Sequence, residues 1–268
     1  MNVVGSEPRR WSRPPLVANP WLRSALVLGA AVYLLVGIGS VHVSWARVWE
    51  GLDRGAAFLG GFARPDFLSR RGDIAEGLLE SIVMTVTATV IGLALALPVA
   101  LGAARNLAPM PVYVVCRGIV ALSRTFQEII VAILFVAMFG FGPLAGTLTL
   151  ALATVGFLAK LLAESIESSD PAQAEAIRAT GASWLQLLNY GIQPQVMPRL
   201  IGLGLYRLDI NFRESAVIGI VGAGGIGATL NTAFDRYEFG TAAAILITII
   251  VIVMTAEYLS GIIRRRVQ

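Results

Sequence analysis

Residues 129–159 read IIVAILFVAMFGFGPLAGTLTLALATVGFLA and contain no charged side chain. A helix needs about 20 apolar residues to cross the bilayer core, so this run is too long for one membrane span. The helix-breaking sequence Gly140-Phe141-Gly142-Pro143 interrupts it near its middle. The run therefore predicts a hairpin of two spans, the first starting near Val112 and the second ending near Ala163.

The composition extends this interpretation to the whole chain. Of its 268 residues, 56% are hydrophobic and only 14% are charged, whereas soluble domains have about 25% charged residues. The single cysteine, Cys116, excludes an internal disulfide, and the single histidine, His42, excludes sites that need several imidazoles. We expect an all-α polytopic membrane protein without a catalytic, cofactor or metal site in this chain.

Six apolar runs give the predicted organisation. We expect a cytoplasmic tail at 1–23, a first membrane helix at 24–45, an external interfacial segment at 46–73, a core of five further helices at 74–263 that includes a polar cytoplasmic loop at 164–198, and a cytoplasmic tail at 264–268. A cleaved signal peptide at the N-terminus and a simple loop at 46–73 are the alternatives.

The distribution of basic residues supports this orientation. Eleven Lys and Arg side chains lie near the ends predicted to be cytoplasmic, and six lie near the outer ends. Cytoplasmic loops of membrane proteins carry an excess of these residues. Both termini are therefore expected to be cytoplasmic.

The polar loop carries two sets of helix start and stop signals. Asp170-Pro171-Ala172-Gln173 supplies an N-cap and a proline at the first helical position, and Gly181 follows as a C-terminal stop. Ser183-Trp184-Leu185-Gln186 is a capping box, and we expect Gly191 and Pro194 to end the second helix. The loop is predicted to be a compact pair of short helices.

The spacing within this loop resembles the Glu-Ala-Ala, three residues, Gly, nine residues, Ile-x-Leu-Pro motif of ABC-importer permeases. The motif's Glu, first Ala, Gly and Pro correspond to Glu175, Ala176, Gly181 and Pro194. The sequence departs from the motif at the alanine of its third position, at its isoleucine and at its leucine, where it has Ile177, Gly191 and Gln193. An ordinary amphipathic helical hairpin on the membrane surface is the alternative.

The resemblance implies that this loop docks onto an ATP-hydrolysing subunit. The implied coupling residues are Glu175, Ala176, Ala179, Gly181 and Pro194. A carboxylate on a helix of small residues can approach and pair with an arginine of the partner. The only lysine of this chain, Lys160, stands in Ala159-Lys160-Leu161 rather than in a Walker A motif, so ATP and Mg²⁺ are expected in the partner subunit.

The fifth predicted span, from about Leu200 to Val221, contains several ionisable side chains, which are costly inside a membrane. Asp209 and Arg213 are four residues apart and can pair, and Arg207 and Glu214 lie two turns apart on a similar face. On the third span, Arg124 and Glu128 also stand four residues apart. Structural ion pairs between the third and fifth spans are the alternative to a role in a transport pathway.

A glycine-rich segment, Val221 to Gly227, follows this span and formally contains G-x-G-x-x-G. A membrane helix rather than a strand precedes it, so a dinucleotide site is not expected. Glycine allows tight turns and close helix approach. We expect an external gate formed by Gly222, Gly224, Gly225 and Gly227.

From about Gly77 onward, these charges and glycines, with Arg178-Ala179-Thr180-Gly181-Ala182-Ser183 in the loop, resemble the permease of phosphonate ABC transporters. The resemblance implies a type I importer fold in the bacterial inner membrane. It also implies a homodimer of this chain, two ATPase subunits, and an external substrate-binding protein. The implied cargo is phosphonate or a related phosphorus oxyanion such as phosphate or phosphite; nucleic acid is not an expected partner.

Such an anion would need charge-assisted donors inside the membrane, which guanidinium groups supply. The predicted pathway contains Arg124, Arg207 and Arg213, with Glu128, Asp209 and Glu214 as carboxylates that moderate binding or rearrange. A permease of the same architecture for methionine or another small solute would need fewer of these charges. An intramembrane lipid-phosphate enzyme is a more remote alternative, because only one histidine and no Asp-x-x-Asp metal motif are available.

Overall fold

The computed structural model describes Val17, residues 19–40 and residues 44–267, without the side chains of residues 57 and 263–267. All regular structure in these residues is helical: α1 Pro20–Ser40, α2 Trp45–Phe62, α3 Arg71–Ala103, α4 Met110–Thr125, α5 Glu128–Phe139, α6 Pro143–Glu167, α7 Pro171–Ala179, α8 Trp184–Gln186, a π-helical turn Leu187–Ile192, α9 Gln193–Gly219, α10 Gly225–Asp235 and α11 Phe239–Val267. Most of the predicted N-terminal tail, residues 1–16 and 18, lies outside the described residues, as do residues 41–43 in the predicted first span.

The chain divides into two units, Met1–Ala57 and Phe58–Gln268. The first contains α1 and most of α2, and the second contains everything from the last turn of α2 onward. α1 begins four residues before the predicted first span, at Pro20. α2 is helical over most of the segment for which a partly helical segment and a loop were both open interpretations.

Within the part of the chain that the structure describes, four helices are long and apolar enough to cross a membrane: α1, α3, α6 and α11. α4 and α5 qualify together as a fifth span, although they are bent by 91° relative to each other. α9 is long enough, but ionisable side chains interrupt its apolar sequence. A sixth span at α9 stays a prediction.

α3 and α6 form the centre of the second unit. α3 is about 50 Å long at 1.5 Å per residue and buries small residues along one side, including Ala88, Gly92 and Ala96. A Cβ atom built at Gly92 would lie 2.5 Å from the Cβ of Thr154 on α6. Because lipid tails supply no hydrophobic driving force between helices, such close contact of small residues is how membrane helices associate.

The predicted hairpin at 129–159 is confirmed. α5 ends at Phe139 and α6 begins at Pro143, and Gly140 and Gly142 between them adopt positive φ angles of 87° and 134°. The backbone N–H of Gly142 donates to the carbonyl oxygen of Gly222, 3.0 Å away. This bond joins the turn of the hairpin to the glycine-rich segment after α9.

The first arm of the hairpin is not the continuous helix that the sequence predicts. Phe126 and Gln127 are both extended, with ψ angles of 137° and 144°, and they separate α4 from α5. The sequence there contains neither glycine nor proline. The polar residues around the break line a pocket beside α6 and α9. On a straight helix between lipid tails, some of these polar side chains would lack water or a hydrogen-bond partner.

Two features near the C-terminus also differ from the prediction. α10 was not predicted; it buries Ile226, Leu230 and Ala233. α11 continues to Val267, through most of the segment predicted as a tail at 264–268. A further helix therefore lies between the glycine-rich segment and the last span.

The segment between α2 and α3 is fixed to the start of α11. The backbone N–H of Asp66 donates to Gly240 O at 3.0 Å, and Arg70 pairs with Glu238 and Asp73. Hydrogen bonds from the hydroxyl and backbone N–H of Ser69 lower the pKa of the Asp66 carboxyl. These bonds hold the start of α3 beside the start of α11.

We expect Gly219→Ala to destabilise the protein. A Cβ at Gly219 would lie 2.6 to 2.7 Å from backbone atoms of residues 224, 227 and 228, and overpacking of this kind costs about 1–3 kcal/mol. Gly204→Ala, also on α9, is the control, because its Cβ would meet no atom within 4 Å. Thermal unfolding of the two variants in detergent should show a lower midpoint for Gly219→Ala only; equal midpoints would contradict this packing.

Candidate functional site

A polar pocket of about 310 Å³ lies at the break between α4 and α5. Residues 123–128 line it from the break, Ala153 and Phe157 line it from α6, and Arg207 lines it from α9. The lining therefore includes two guanidinium groups and one carboxylate, which belong to Arg124, Arg207 and Glu128. Glu214 pairs with Arg207 from outside the lining, so the surrounding cluster holds two guanidinium groups and two carboxylates.

Arg207 is almost completely buried, with 3% of its surface exposed. Its Nη2 donates to Glu214 at 3.0 Å, its Nε donates to the hydroxyl of Thr154 at 3.2 Å, and its guanidinium carbon lies 5.4 Å from the ring centroid of Phe157. Arg207 and Glu214, which were expected only to lie on a similar face of the helix, thus form an ion pair. Burial of a guanidinium inside a membrane requires partners of this kind.

The predicted Asp209–Arg213 pair is confirmed, but it lies apart from the pocket. Asp209 is buried, whereas the side chain of Arg213 is half exposed. The second carboxylate oxygen of Asp209 has no hydrogen-bond partner among the described residues. The four proposed pathway residues on α9 thus form two separate pairs.

Arg124 and Glu128, four residues apart on the predicted third span, do not lie on one continuous helix. Arg124 lies in the last turn of α4 and Glu128 begins α5, so the 91° bend separates them. Within the described residues, neither takes part in an ion pair, and the ion pairs of α9 are internal to that helix rather than shared with the third span.

A buried polar network that was not singled out in the sequence supports Arg207. The amide of Asn211 on α9 is fully buried and donates to Thr89 on α3 at 2.8 Å and to Thr154 on α6 at 2.9 Å. The available signal was an asparagine in a membrane helix, since such residues commonly form hydrogen bonds between helices. Its threonine partners could be found only from the fold.

The polar loop folds locally as its capping signals predict. The side chain of Asp170 accepts from the N–H of Ala172 at 2.9 Å, and Gly181 has a φ angle of 78°. Ser183 and Gln186 form the reciprocal capping box. These contacts confirm the first helix and the start of the second.

The second helix does not end at Gly191 and Pro194, as was predicted. It continues through the π-helical turn into α9, giving helical structure from Trp184 to Gly219. Pro194 lies in the first turn of α9 and, having no N–H, donates no backbone hydrogen bond into the π-helical turn. The side-chain amide of Gln195 donates to the carbonyl of Gly191 at 2.7 Å, which satisfies an acceptor at the turn.

The five coupling residues predicted from the motif are all exposed: Glu175, Ala176, Ala179, Gly181 and Pro194. No ion pair in the described part of the chain involves Glu175. A Cβ at Gly191 would lie 3.4 Å from Ala174 and 3.7 Å from Ile177. Ile177, which is larger than the alanine of the motif, thus packs beside Gly191, which is smaller than the isoleucine of the motif.

The glycine-rich segment forms a tightly packed turn. Gly222, Gly224 and Gly225 have φ angles of 91°, 81° and 72°, and Gly227 packs against the carbonyl of Ala216. Two side chains of α3 accept hydrogen bonds from the first turn of α10: Glu80 from the N–H of residue 225 at 2.8 Å, and Ser81 from that of residue 226 at 2.9 Å. Glu80 and Ser81 were not predicted to take part in this site.

A match to the family of binding-protein-dependent transport system inner membrane components covers residues 76–268. The chain belongs to this family. A phosphate-import permease of Mycolicibacterium smegmatis is 43% identical over 203 residues, which is 75% of this chain but 38% of that protein. A phosphite transport system permease of Stutzerimonas stutzeri is 38% identical over 242 residues, 90% of this chain and 87% of that protein.

Solved structures agree with this fold. An inward-facing structure of the MetNI methionine ABC transporter has a TM-score of 0.67 at 23% identity, covering 75% of this permease and all of the compared chain. An amino acid ABC transporter has a TM-score of 0.62 at 22% identity, covering 75% and 98%. The expected ABC-importer permease fold is confirmed, and the family places the permease in the inner membrane, with a separate ATPase subunit and a binding protein as partners.

We expect Arg207→Met to destabilise the permease, because it leaves the Glu214 carboxylate without its partner at 3.0 Å. Breaking a buried pair costs about 3 kcal/mol, and removing both charges costs less. Thermal unfolding should therefore show a lower midpoint for Arg207→Met and partial recovery in Arg207→Met/Glu214→Gln.

The control for this experiment is Arg54→Met. The Arg54–Glu50 pair is exposed, with 79% and 63% of the two side chains accessible, and such pairs contribute about 0.2–1 kcal/mol. A double variant no more stable than Arg207→Met would contradict the interpretation of Arg207 and Glu214 as a pair.

Proposed function

We propose that this permease subunit imports phosphonate or a related phosphorus oxyanion, such as phosphate or phosphite. The observation that carries the proposal is the pocket where Arg124 and Arg207 stand beside the single lining carboxylate of Glu128. The names of the relatives, a phosphate-import permease and a phosphite transport system permease, support the same class of cargo.

The chemistry of the pocket suits an oxyanion that passes through. Guanidinium groups form strong charge-assisted hydrogen bonds with phosphorus oxyanions, and more strongly where water is scarce. The side-chain amide of Gln127 adds a neutral donor at the pocket wall, whereas the hydroxyls of Ser123 and Thr125 already donate to the carbonyls of Leu152 and Ala121. A methionine zwitterion or a neutral solute would make less use of these two guanidinium groups than a phosphorus oxyanion does.

Glu214 is proposed to keep the binding reversible. It holds Nη2 of Arg207 at 3.0 Å, so an incoming anion competes with a resident carboxylate rather than meeting a bare cation. Glu128 adds a second negative charge to the wall. The separate Asp209–Arg213 pair is a proposed second step of the pathway.

The proposed assembly is a homodimer of this chain with two ATPase subunits, which bind ATP and Mg²⁺, and an external substrate-binding protein. Both termini are then cytoplasmic. Glu175, Ala176, Ala179, Gly181 and Pro194 form the proposed docking surface for the ATPase, with Glu175 as its charged anchor. Because helical structure is continuous from Trp184 to Gly219, movement of the loop can reach Arg207 through one helix.

We expect binding protein loaded with phosphate or methylphosphonate to stimulate ATP hydrolysis by the reconstituted complex, and Glu175→Ala to abolish most of that stimulation. Loss of one partner of an interfacial charge pair typically costs 2–5 kcal/mol. The measurement is ATPase activity in liposomes with loaded and unloaded binding protein.

Glu76→Ala is the control, because it removes an exposed carboxylate near the start of α3, away from the loop. Normal stimulation of Glu175→Ala would contradict the docking role. Stimulation only by methionine or another unrelated solute would contradict the proposed cargo.

The glycine-rich turn is the proposed external gate, formed by Gly222, Gly224, Gly225 and Gly227. A Cβ at Gly224 would lie 2.8 Å from the backbone nitrogen of Pro143, and its φ angle of 81° disfavours other residues. We expect Gly224→Leu to lower phosphate uptake into proteoliposomes at least about tenfold, since strain and overpacking act together. Gly29→Leu, with open space around it, is the control; unchanged uptake in Gly224→Leu would contradict the gate.

A further inference from the structure

We propose that Thr154 is a positioning residue that decides which N–H groups of Arg207 face the cargo. The inference rests on the proposed anion pocket. Thr154 lies on α6, opposite Arg207, and it is fully buried. Its side chain does not itself line the pocket.

The hydroxyl of Thr154 has its hydrogen-bonding capacity completely used. It donates to the carbonyl of Leu150 at 2.6 Å and accepts from Asn211 at 2.9 Å and from Nε of Arg207 at 3.2 Å. A hydroxyl has one donor and two acceptor sites. The carbonyl of Leu150, at 2.6 Å, is a closer acceptor for the hydroxyl proton than Asn211 Oδ1 at 3.3 Å, so the two acceptor sites face the amide nitrogen of Asn211 and Nε of Arg207.

Asn211 holds this arrangement from the other side. Its amide nitrogen has two hydrogens, and they bond Thr154 and Thr89. The hydroxyl of Thr89 in turn donates to the carbonyl of Thr85 at 2.7 Å. Thr89 and Asn211 therefore anchor Thr154 across α3, α6 and α9, and the acceptor for Arg207 cannot easily rotate away.

The consequence is an oriented guanidinium. Thr154 occupies Nε and Glu214 occupies Nη2, so the Nε/Nη2 edge that commonly grips an oxyanion with two parallel bonds is already engaged. Nη1 remains to meet a ligand, since no described residue bonds it and Arg207 lines the pocket. Preorganised donors bind more tightly than donors that must be ordered on binding.

The test measures binding of inorganic phosphate to the complex of permease and ATPase subunits in nanodiscs, without binding protein. Thr154→Val keeps the shape that packs on Gly92 but removes both acceptor sites. We expect it to weaken phosphate binding at least about fivefold, in line with loss of one hydrogen bond to a charged group. Thr154→Ser, which restores the hydroxyl, should bind within about twofold of the wild type.

Thr149→Val is the matched control. Thr149 lies on the same helix and is equally buried, but its hydroxyl donates only to the carbonyl of Ala145 in its own helix at 2.8 Å. Phosphate binding should be unchanged in this variant. An equal loss in Thr149→Val and Thr154→Val would show a general structural effect and overturn the positioning role.

Arg207→Gln separates this inference from the proposed function. Weak binding in Arg207→Gln with normal binding in Thr154→Val would overturn the role of Thr154 and leave the anion pocket standing. Wild-type binding in Arg207→Gln, or no phosphate binding by the wild-type complex, would overturn the pocket itself. Loss in Thr154→Val with recovery in Thr154→Ser and none in Thr149→Val would support the inference.

Discussion

Burial of Arg207 on α9 is the constraint on which the rest of the structure depends. An ionisable side chain without a partner is unstable in a membrane interior, and Arg207 is 3% exposed. Its guanidinium donates hydrogen bonds to Glu214 on its own helix and to Thr154 on α6. The hydroxyl can reach Arg207 only if α6 and α9 lie side by side, so the polar contact specifies the helix packing.

The same constraint explains the small residues of α3. Asn211 must reach Thr89 on α3 as well as Thr154 on α6. Both threonines satisfy their own donors within their helices, which leaves acceptors for the amide. Such a three-way contact requires close backbones, and Gly92, whose Cβ would lie 2.5 Å from Thr154, permits that approach. The small residues that bring the helices close together are therefore also what allows the buried amide of Asn211 to reach its hydrogen-bond partners.

Signals contained within a few residues predicted the structure well. The glycine turn of the hairpin, the Asp170 cap, the Ser183 capping box and the internal pairs of α9 all follow from spacing along one helix or turn. The break at Phe126, the helix α10 and the partners of Asn211 could not be predicted in this way. The partners of Asn211 lie on helices far from it in sequence. The break at Phe126 runs against local helical preference, and α10 directly follows glycines that were interpreted as a turn.

The two departures in the cytoplasmic loop illustrate how such contacts can preserve an arrangement. Ile177 is larger than the alanine of the motif and Gly191 is smaller than its isoleucine, and the two positions face each other with Ala174 between. The side-chain volume that is missing at Gly191 is thus partly supplied by Ile177, and packed interiors tolerate exchanges that conserve the total volume. Gly191 also begins the passage from the π-helical turn into α9. The contact of Ile177 with Gly191 therefore packs α7 against the π-helical turn, and this turn connects the loop to α9, which carries Arg207.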